Sequence, residues 1–242
     1  MKSYRPYKIS FPNGLQALTV RSEETPDIPA LVKALKLPLQ PRGLLVLSGG
    51  AGLMDEETGA RLRSFFQTLA GIVKSKQLMV IDGGTSAGIM ALMGEALFRE
   101  GRRAVHIGVV PAKAEVDSEG KIAEDILEPH HSHFVLVEAN EWGREVTAMY
   151  GLVEYFSKNV PSAILLINGG GLSLQEIQHG VRQGHTIVIF AGSGRLADEI
   201  ARAIRHPEVP ARAEIRELTG EGHFIIFDTS KSPQELQKLL AK

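Results

Sequence analysis

The feature that most constrains the fold of this chain is a repeated pattern: a short apolar run ends in glycine-rich residues, and a segment with helical spacing follows. Four runs show it, namely LLVL (44–47), LMVI (78–81), AILLI (163–167) and TIVIF (186–190). The runs are continuously apolar rather than alternating, which is typical of parallel strands covered on both faces. Three further runs without the glycine pair, AVHIGVV (104–110), HFVLVE (133–138) and HFIIFD (223–228), predict additional strands.

Segments of helical spacing separate several of these runs. Apolar residues recur three and four positions apart within 62–73, 89–97 and 146–156, which places them on one face of a helix. Strand, turn and helix therefore alternate. This alternation predicts an α/β fold, a doubly wound, mostly parallel Rossmann-like sheet with helices on both faces. The four glycine-ended runs should be neighbouring parallel strands whose turns share one edge of the sheet.

The first 42 residues follow a different pattern. Two weakly alternating runs, YKISF and LQALTV, flank Asn13-Gly14, which predicts a β-hairpin. Four prolines then bracket a short apolar stretch, Leu31 to Leu37, which predicts a short helix. We expect residues 1–42 to form an extension packed on a main domain of residues 43–242, because this length suits one large domain.

Composition and charge exclude several classes of function. The chain has no cysteine, which excludes disulfides, thiolate metal sites and a cysteine nucleophile. The formal net charge is −1 and no Lys/Arg run marks a nucleic-acid surface, so we expect no nucleic-acid partner. No apolar run suits a signal peptide or a membrane span. We expect a cytoplasmic protein, without a membrane partner, that forms a homo-oligomer.

The glycine-rich turns are the candidate ligand site. Ligands bind at the carboxyl ends of the strands of open α/β sheets, where glycine lets the backbone come close and helix N-termini attract phosphate. Tight turns without a ligand are the alternative, since glycine also serves to reach positive φ. No turn carries a complete dinucleotide-binding or P-loop motif, which disfavours an ordinary NAD dehydrogenase or a P-loop NTPase. The predicted ligand-binding residues of the turns are Gly49, Gly50, Gly83, Gly84, Thr85, Ser86, Gly88, Gly169, Gly170, Gly171, Ser173, Gly192, Ser193 and Gly194.

Two larger side chains extend this candidate site. Arg195 follows Gly194 at the start of a predicted helix, where the helix dipole disfavours a cation. We predict that it binds phosphate, and a solvated side chain is the alternative. Trp142 is the only tryptophan and lies in a polar loop. It is predicted either to stack on a base or to pack in the core.

Five motifs occur in a characteristic order along most of the chain. They are LSGGA (47–51), DGGTSAGIM (82–90), HSHFVLVEANEWGREV (131–146), VPSAILLINGGGLSLQEI (160–177) and IVIFAGSGRLADEIA (187–201). Together they resemble the SLOG superfamily, in particular the branch found at the N-terminus of melastatin-type TRP channels and in free-standing prokaryotic proteins. The resemblance implies a Rossmann-like fold, a nucleotide-derived ligand such as ADP-ribose, NAD or a nucleoside phosphate, and an aromatic ligand contact near Trp142.

Glu176 is the candidate catalytic residue. Residues 169–176, GGGLSLQE, also resemble the PGGxGTxxE motif of the Lonely Guy phosphoribohydrolases, which cleave the bond between a base and ribose 5′-phosphate. That resemblance implies a catalytic Glu176, although Asn168 and Leu172 depart from the motif. Alternatively, Ser173 and Glu176 form a helix-capping box. The chain is thus a ligand-binding or sensing protein, a phosphoribohydrolase, or a scaffold with a decayed site, and the intact glycines disfavour the scaffold.

Three histidines and one aspartate at the end of a predicted strand are further candidate ligand residues. His130, His131 and His133 are expected at a loop mouth, and no carboxylate at ligand spacing accompanies them, so we predict no metal site. Asp82 is expected to cap the turn after its strand, with a ribose contact as the alternative. The polar stretch between Pro111 and Pro129 is either solvated or a lid.

Overall fold

The computed structural model describes residues 2–50, 56–101, 104–115 and 126–239, so Ala51 of the first motif and most of the polar stretch lie outside it. The strands are β1 (Tyr7–Ser10), β2 (Gln16–Ser22), β3 (Leu44–Gly49), β4 (Met79–Asp82), β5 (His106–Pro111), β6 (His133–Val137), β7 (Ser162–Ile167), β8 (Thr186–Ala191) and β9 (His223–Asp228). The α-helices are α1 (Ile28–Ala34), α2 (Glu56–Lys76), α3 (Gly88–Arg99), α4 (Val146–Ser157), α5 (Gly171–Arg182), α6 (Arg195–Arg205), α7 (Ala213–Glu221) and α8 (Pro233–Leu239).

Within the described residues these strands form one sheet in the order β1-β2-β6-β5-β4-β3-β7-β8-β9. Every neighbouring pair is parallel except β1 and β2. The α/β fold with an N-terminal hairpin is therefore confirmed. So is the prediction that the four glycine-ended runs are neighbours, since β4, β3, β7 and β8 follow one another and are parallel.

The hairpin turns where the sequence predicts it. Gly14 has φ 79°, and the Asn13 side chain accepts a hydrogen bond from the Leu15 N–H at 3.1 Å. Strand β2 also pairs with β6, so the hairpin continues the sheet. Helix α1 follows, with Asp27 as its N-cap.

The helices cover both faces of the sheet. Helices α2, α3 and α8 pack on one face, and α1, α4, α5, α6 and α7 pack on the other. The predicted apolar stripes of α2 and α4 are buried in these two cores. The chain reverses its winding direction between β3 and β7, because β4 to β6 extend the sheet to one side and β7 to β9 to the other. Ligand sites of open α/β sheets lie at such a switch point.

None of the helices in the described part of the chain combines the length and apolarity needed to cross a bilayer.

Candidate functional site

A cleft of about 610 Å³ opens at the switch point, between the carboxyl ends of β3, β4 and β7. It brings together many of the residues that the sequence predicts for ligand binding: Gly49, Gly50, Gly83, Thr85, Ser86, Trp142, Gly170, Gly171, Ser173, Glu176 and Arg195. Residues not predicted from the sequence complete its wall: Leu47, Ala87, Met90, Ile126, Glu145 and Leu172. The volume suits a small organic ligand.

The remaining predicted residues lie outside the wall of this cleft. Gly84 has φ 63°, and a Cβ there would lie 2.8 Å from the Gly108 Cα, so close packing of β4 against β5 requires glycine. Gly88 is the first residue of α3. Gly169 lines a neighbouring cavity between α5 and α6.

In the turn after β8, residues 192–194, backbone N–H groups are already hydrogen-bonded within the protein. Asp198 accepts hydrogen bonds from the Gly192 N–H at 2.6 Å and from the Gly194 N–H at 3.1 Å. The Ser193 hydroxyl donates to the Phe190 carbonyl. An anion on this turn would have to replace the Asp198 carboxylate.

The turn after β7 leaves its helix N-terminus open to the cleft. Asn168 and Gly169 both have positive φ, 59° and 90°, so the chain reverses at once and α5 begins at Gly171. Gly170 is the N-cap residue, and no side chain caps the helix. The first N–H groups of a helix have no intrahelical partner, and here Gly170, Gly171 and Ser173 line the cleft. The positive end of the α5 dipole therefore points into it.

The helix-capping interpretation of Glu176 is wrong. Because α5 begins at Gly171, Ser173 is its third residue and cannot be the N-cap. Glu176 instead reaches across to the sheet, where an oxygen of its carboxyl group accepts a hydrogen bond from the hydroxyl of Ser48 on β3. The reason is the early helix start, which places Glu176 on the second turn, facing the sheet.

Glu176 lies in an environment that favours its protonated form. Burial raises the pKa of Glu176 to about 8, and the nearby Glu145 and Asp82 carboxylates add to the rise, while the Ser48 hydrogen bond opposes it. Glu145, the N-cap residue of α4, is itself buried, which raises its pKa as well. It accepts a hydrogen bond from the Gly143 N–H at 2.7 Å. At neutral pH the cleft therefore presents a carboxylic acid at Glu176.

Arg195 stands between the cleft and the neighbouring cavity. It is a non-glycine residue with φ 49°, a conformation that costs energy and is found at functional sites more than elsewhere. Its guanidinium covers Gly170, where a Cβ would lie 2.7 Å from Nη2. Arg195 forms no ion pair with any residue in the described part of the chain. Its charge is thus available to a ligand.

Trp142 lies at the mouth of the cleft. Its side chain is 42% exposed, so the alternative of core packing is wrong. The Lys113 ammonium lies 5.7 Å from the centre of the indole ring and donates to the Asn140 carbonyl. Trp142 also lines the cleft.

Beneath the cleft, Asp82 is the centre of a buried hydrogen-bond network. It caps its turn as predicted, accepting from the Gly84 N–H at 2.8 Å. Its two oxygens also lie 2.9 Å from His131 Nε2 and 2.7 Å from His106 Nε2, and His131 Nδ1 lies 2.8 Å from Glu128. His131 is fully buried, so the expected loop-mouth position is wrong for this residue. His131 is buried because it contacts Asp82, which lies 49 positions earlier in the sequence, so the contact could not be predicted from the local pattern.

The network holds a buried ion pair. Burial alone would lower the pKa of His131, but the Asp82 and Glu128 carboxylates raise it to about 9. Burial would raise the pKa of Asp82, and the two imidazoles hold it well below its usual range. Ligand atoms of Asp82, His106 and His131 lie within 4.8 Å of one another, but each Asp82 oxygen is engaged by one imidazole. The absence of a metal site stays a prediction.

The network predicts a loss of stability at alkaline pH. The pKa of His131 rises from 6.5 to about 9 on folding, so its contribution is complete below pH 6.5 and is lost as the pH rises through 9. Thermal unfolding across this range should show a steeper decline for the wild type than for His131→Gln, which cannot titrate. Parallel pH profiles for the two proteins would show that His131 carries no buried charge.

The fold and the cleft together define a Rossmann-like α/β domain with a site at its switch point. A family model described as "SLOG in TRPM, prokaryote" matches residues 42–238. The chain therefore belongs to this family of SLOG domains, as its motifs indicate.

Named relatives agree with this assignment. Transient receptor potential cation channel subfamily M member 2 of Mus musculus is 28% identical over 209 residues, covering 69% of this chain and 14% of the channel. The subfamily M member-like 2 channel of Nematostella vectensis is 25% identical over 203 residues, covering 67% of this chain and 13% of the channel. The similarity thus concerns a small part of each channel.

Proposed function

We propose that the cleft binds a nucleotide-derived ligand, such as ADP-ribose, NAD or a nucleoside phosphate, with a phosphate group at the N-terminus of α5. One observation carries the proposal: the uncapped helix N-terminus and the Arg195 guanidinium meet at Gly170, in the wall of the cleft. No described residue forms an ion pair with this guanidinium. Backbone N–H groups, the helix dipole and an arginine together form a site for phosphate.

The rest of the wall suits the other parts of such a ligand. Trp142 offers an aromatic face for a base, and Leu47, Met90 and Leu172 provide apolar surface. We propose that the phosphate binds the turn after β7 rather than the turn after β8. In the turn after β8, backbone N–H groups already donate hydrogen bonds to Asp198. We expect a cytoplasmic homo-oligomer that senses this ligand.

A thermal-shift series tests the proposal. AMP, ADP, ADP-ribose and NAD are compared with adenosine, since a ligand that binds only the folded state raises the melting temperature with concentration. We expect stabilisation by at least one phosphorylated compound and much less by adenosine. The fluorescence of Trp142 should change over the same concentration range. Stabilisation by adenosine alone, or by none of the compounds, contradicts the proposal.

A second candidate function is hydrolysis of the bond between base and ribose 5′-phosphate. The observation in its favour is Glu176, a carboxylic acid in the cleft wall whose pKa of about 8 suits a proton donor near neutral pH. A phosphate at the N-terminus of α5 and the Glu176 carboxyl group would share one cleft. We propose binding as the main function, because no basic side chain among the described residues forms a hydrogen bond or ion pair with Glu176.

Glu176→Gln separates the two functions. Glutamine resembles the protonated carboxyl group and can still accept from Ser48, so nucleotide affinity and stability should change little. We expect no release of free base from a nucleoside monophosphate, even by the wild type. Steady multiple-turnover release by the wild type that is abolished in Glu176→Gln would establish the enzyme instead.

A further inference from the structure

We infer that strand β9 pairs in antiparallel orientation with β9 of a second copy of this chain, so that two sheets join into one across a two-fold axis. Within the described part of the chain, β9 (His223–Asp228) ends the sheet on its side and pairs with β8 alone. No residue of β9 lines the cleft, so this pairing does not depend on the proposed ligand. It assigns a surface to the expected homo-oligomer.

The outer edge of β9 carries backbone groups without a partner. The Thr229 N–H donates to the Ala191 carbonyl of β8 at 2.8 Å. Because the hydrogen-bonding groups of successive strand residues point to opposite sides, Ile225 directs its groups to β8 as Thr229 does, and Phe224 and Ile226 direct theirs away from the sheet. No residue that the structure describes forms a hydrogen bond with these outward N–H and C=O groups. They are therefore available to a further strand.

The sequence of β9 lacks the features that usually protect an edge strand. Natural sheets protect their edges with lysine, proline or a β-bulge. Strand β9 reads HFIIFD, with four consecutive apolar residues and neither lysine nor proline. Ile225 is 38% exposed, whereas Phe227, two positions along on the same face, is 3% exposed. An apolar edge strand of this kind is a template for pairing with another chain.

A second copy of β9 fits this edge with a defined register. The Asp228 carbonyl already accepts a hydrogen bond from the Lys231 N–H at 3.0 Å, which leaves Phe224 and Ile226 as the residues to pair. Phe224 of each copy would lie opposite Ile226 of the other and exchange both backbone hydrogen bonds with it. Aromatic and β-branched side chains are a favourable cross-strand pair. Ile225 would then face its own counterpart on the two-fold axis, where the side chains of a non-hydrogen-bonded pair come closest.

Charge does not oppose this register. His223 would lie opposite Phe227 of the second copy, and Asp228 opposite Gly222, so no charged side chain faces a like charge. The side chain on the axis is the apolar, partly exposed Ile225. The same short segment thus supplies the donors, the acceptors and the apolar partners that its own edge needs. This self-complementarity favours a second copy, and a two-fold dimer is the commonest assembly of identical chains.

A pair of opposite charges at position 225 tests the inference. Ile225→Lys places two like charges at the axis, and so does Ile225→Glu, so each variant alone should lose the dimer. An equimolar mixture of the two should recover it, because opposite charges then face each other. Sedimentation velocity over a concentration series should give twice the chain mass for the wild type and the mixture. Leu39→Lys, at another exposed apolar side chain, is the matched control and should keep the wild-type mass.

Hydrogen exchange of the wild type provides a second measurement that needs no variant. The amides of Phe224 and Ile226 should exchange rapidly in dilute protein and slowly at concentrations where the dimer forms, because the pairing gives them acceptors. The Ile225 amide, which points to β8, should be protected at both concentrations and is the internal control. This measurement decides the question if a variant at position 225 fails to fold, which circular dichroism would show.

Four results would overturn the inference. The first is a wild type that stays monomeric at every concentration. The second is a dimer that persists in both single variants, which would place the interface elsewhere. The third is a mixture that remains monomeric although each variant is folded, because Ile225 would then not lie on the axis. The fourth is exchange at Phe224 and Ile226 that is equally rapid in dilute and concentrated protein.

Discussion

Replacing Arg195 with alanine is expected to weaken the binding of AMP by about ten- to a hundredfold while changing the affinity for adenosine little. The physical reason is the loss of a charge-assisted contact to phosphate, which typically contributes about 1.5–3 kcal/mol. The guanidinium forms no ion pair with any residue among those described, so the substitution removes no partner that the folded protein needs. Calorimetric titration of both ligands against the wild type and the variant gives the two ratios.

The control for this experiment is Arg216→Ala, which changes the net charge by the same amount. It should leave both affinities unchanged, because Arg216 lies on α7 and lines neither the cleft nor the adjoining cavity. A similar loss for AMP and adenosine in Arg195→Ala would show that Arg195 supports the shape of the cleft rather than the phosphate.

Asp82→Ala is expected to lower the free energy of unfolding by about 3–5 kcal/mol, the usual cost of removing one partner of a buried ion pair. The substitution leaves the His131 imidazole buried with Glu128 as its remaining acidic partner, and it releases the Gly84 N–H. Urea denaturation at neutral pH measures the change.

Glu95→Gln is the matched control for this prediction. Glu95 pairs with Arg99 on the exposed side of α3, where removing an ion pair costs at most about 1 kcal/mol. If Asp82→Ala lowers the free energy of unfolding no more than this control does, the buried network around Asp82 does not stabilise the fold.

The architecture could be predicted because its signals are local. Continuously apolar runs ending in glycine mark β3, β4, β7 and β8, and the parallel order of these strands follows from the general rules of α/β sheets. The start of α5 was misplaced for a local reason as well. Asn168 adopts a left-handed backbone conformation, which asparagine can adopt but which the sequence does not require. Because the chain turns there, α5 begins at Gly171, before Ser173.

The chemistry of the site was less predictable, because it depends on contacts between distant parts of the chain. The meeting of the glycine turns follows from topology, but the pairing of Glu176 with Ser48 joins residues 128 positions apart. Glu145 was not predicted as a site residue. A usable signal was present, because this carboxylate lies directly before a helix and follows a polar loop that contains Trp142. The hydrogen bonds from the N–H groups of the turn after β8 to Asp198 depend on the orientation of the Asp198 side chain, which the sequence does not specify.

A crystal structure of the protein with bound ADP would show directly whether a phosphate occupies the N-terminus of α5. We expect a phosphate within hydrogen-bond distance of the first N–H groups of α5 and of the Arg195 guanidinium, with the base beside Trp142. Nucleotide bound on the turn of residues 192–194 in place of the Asp198 carboxylate, or outside the cleft altogether, would contradict this expectation.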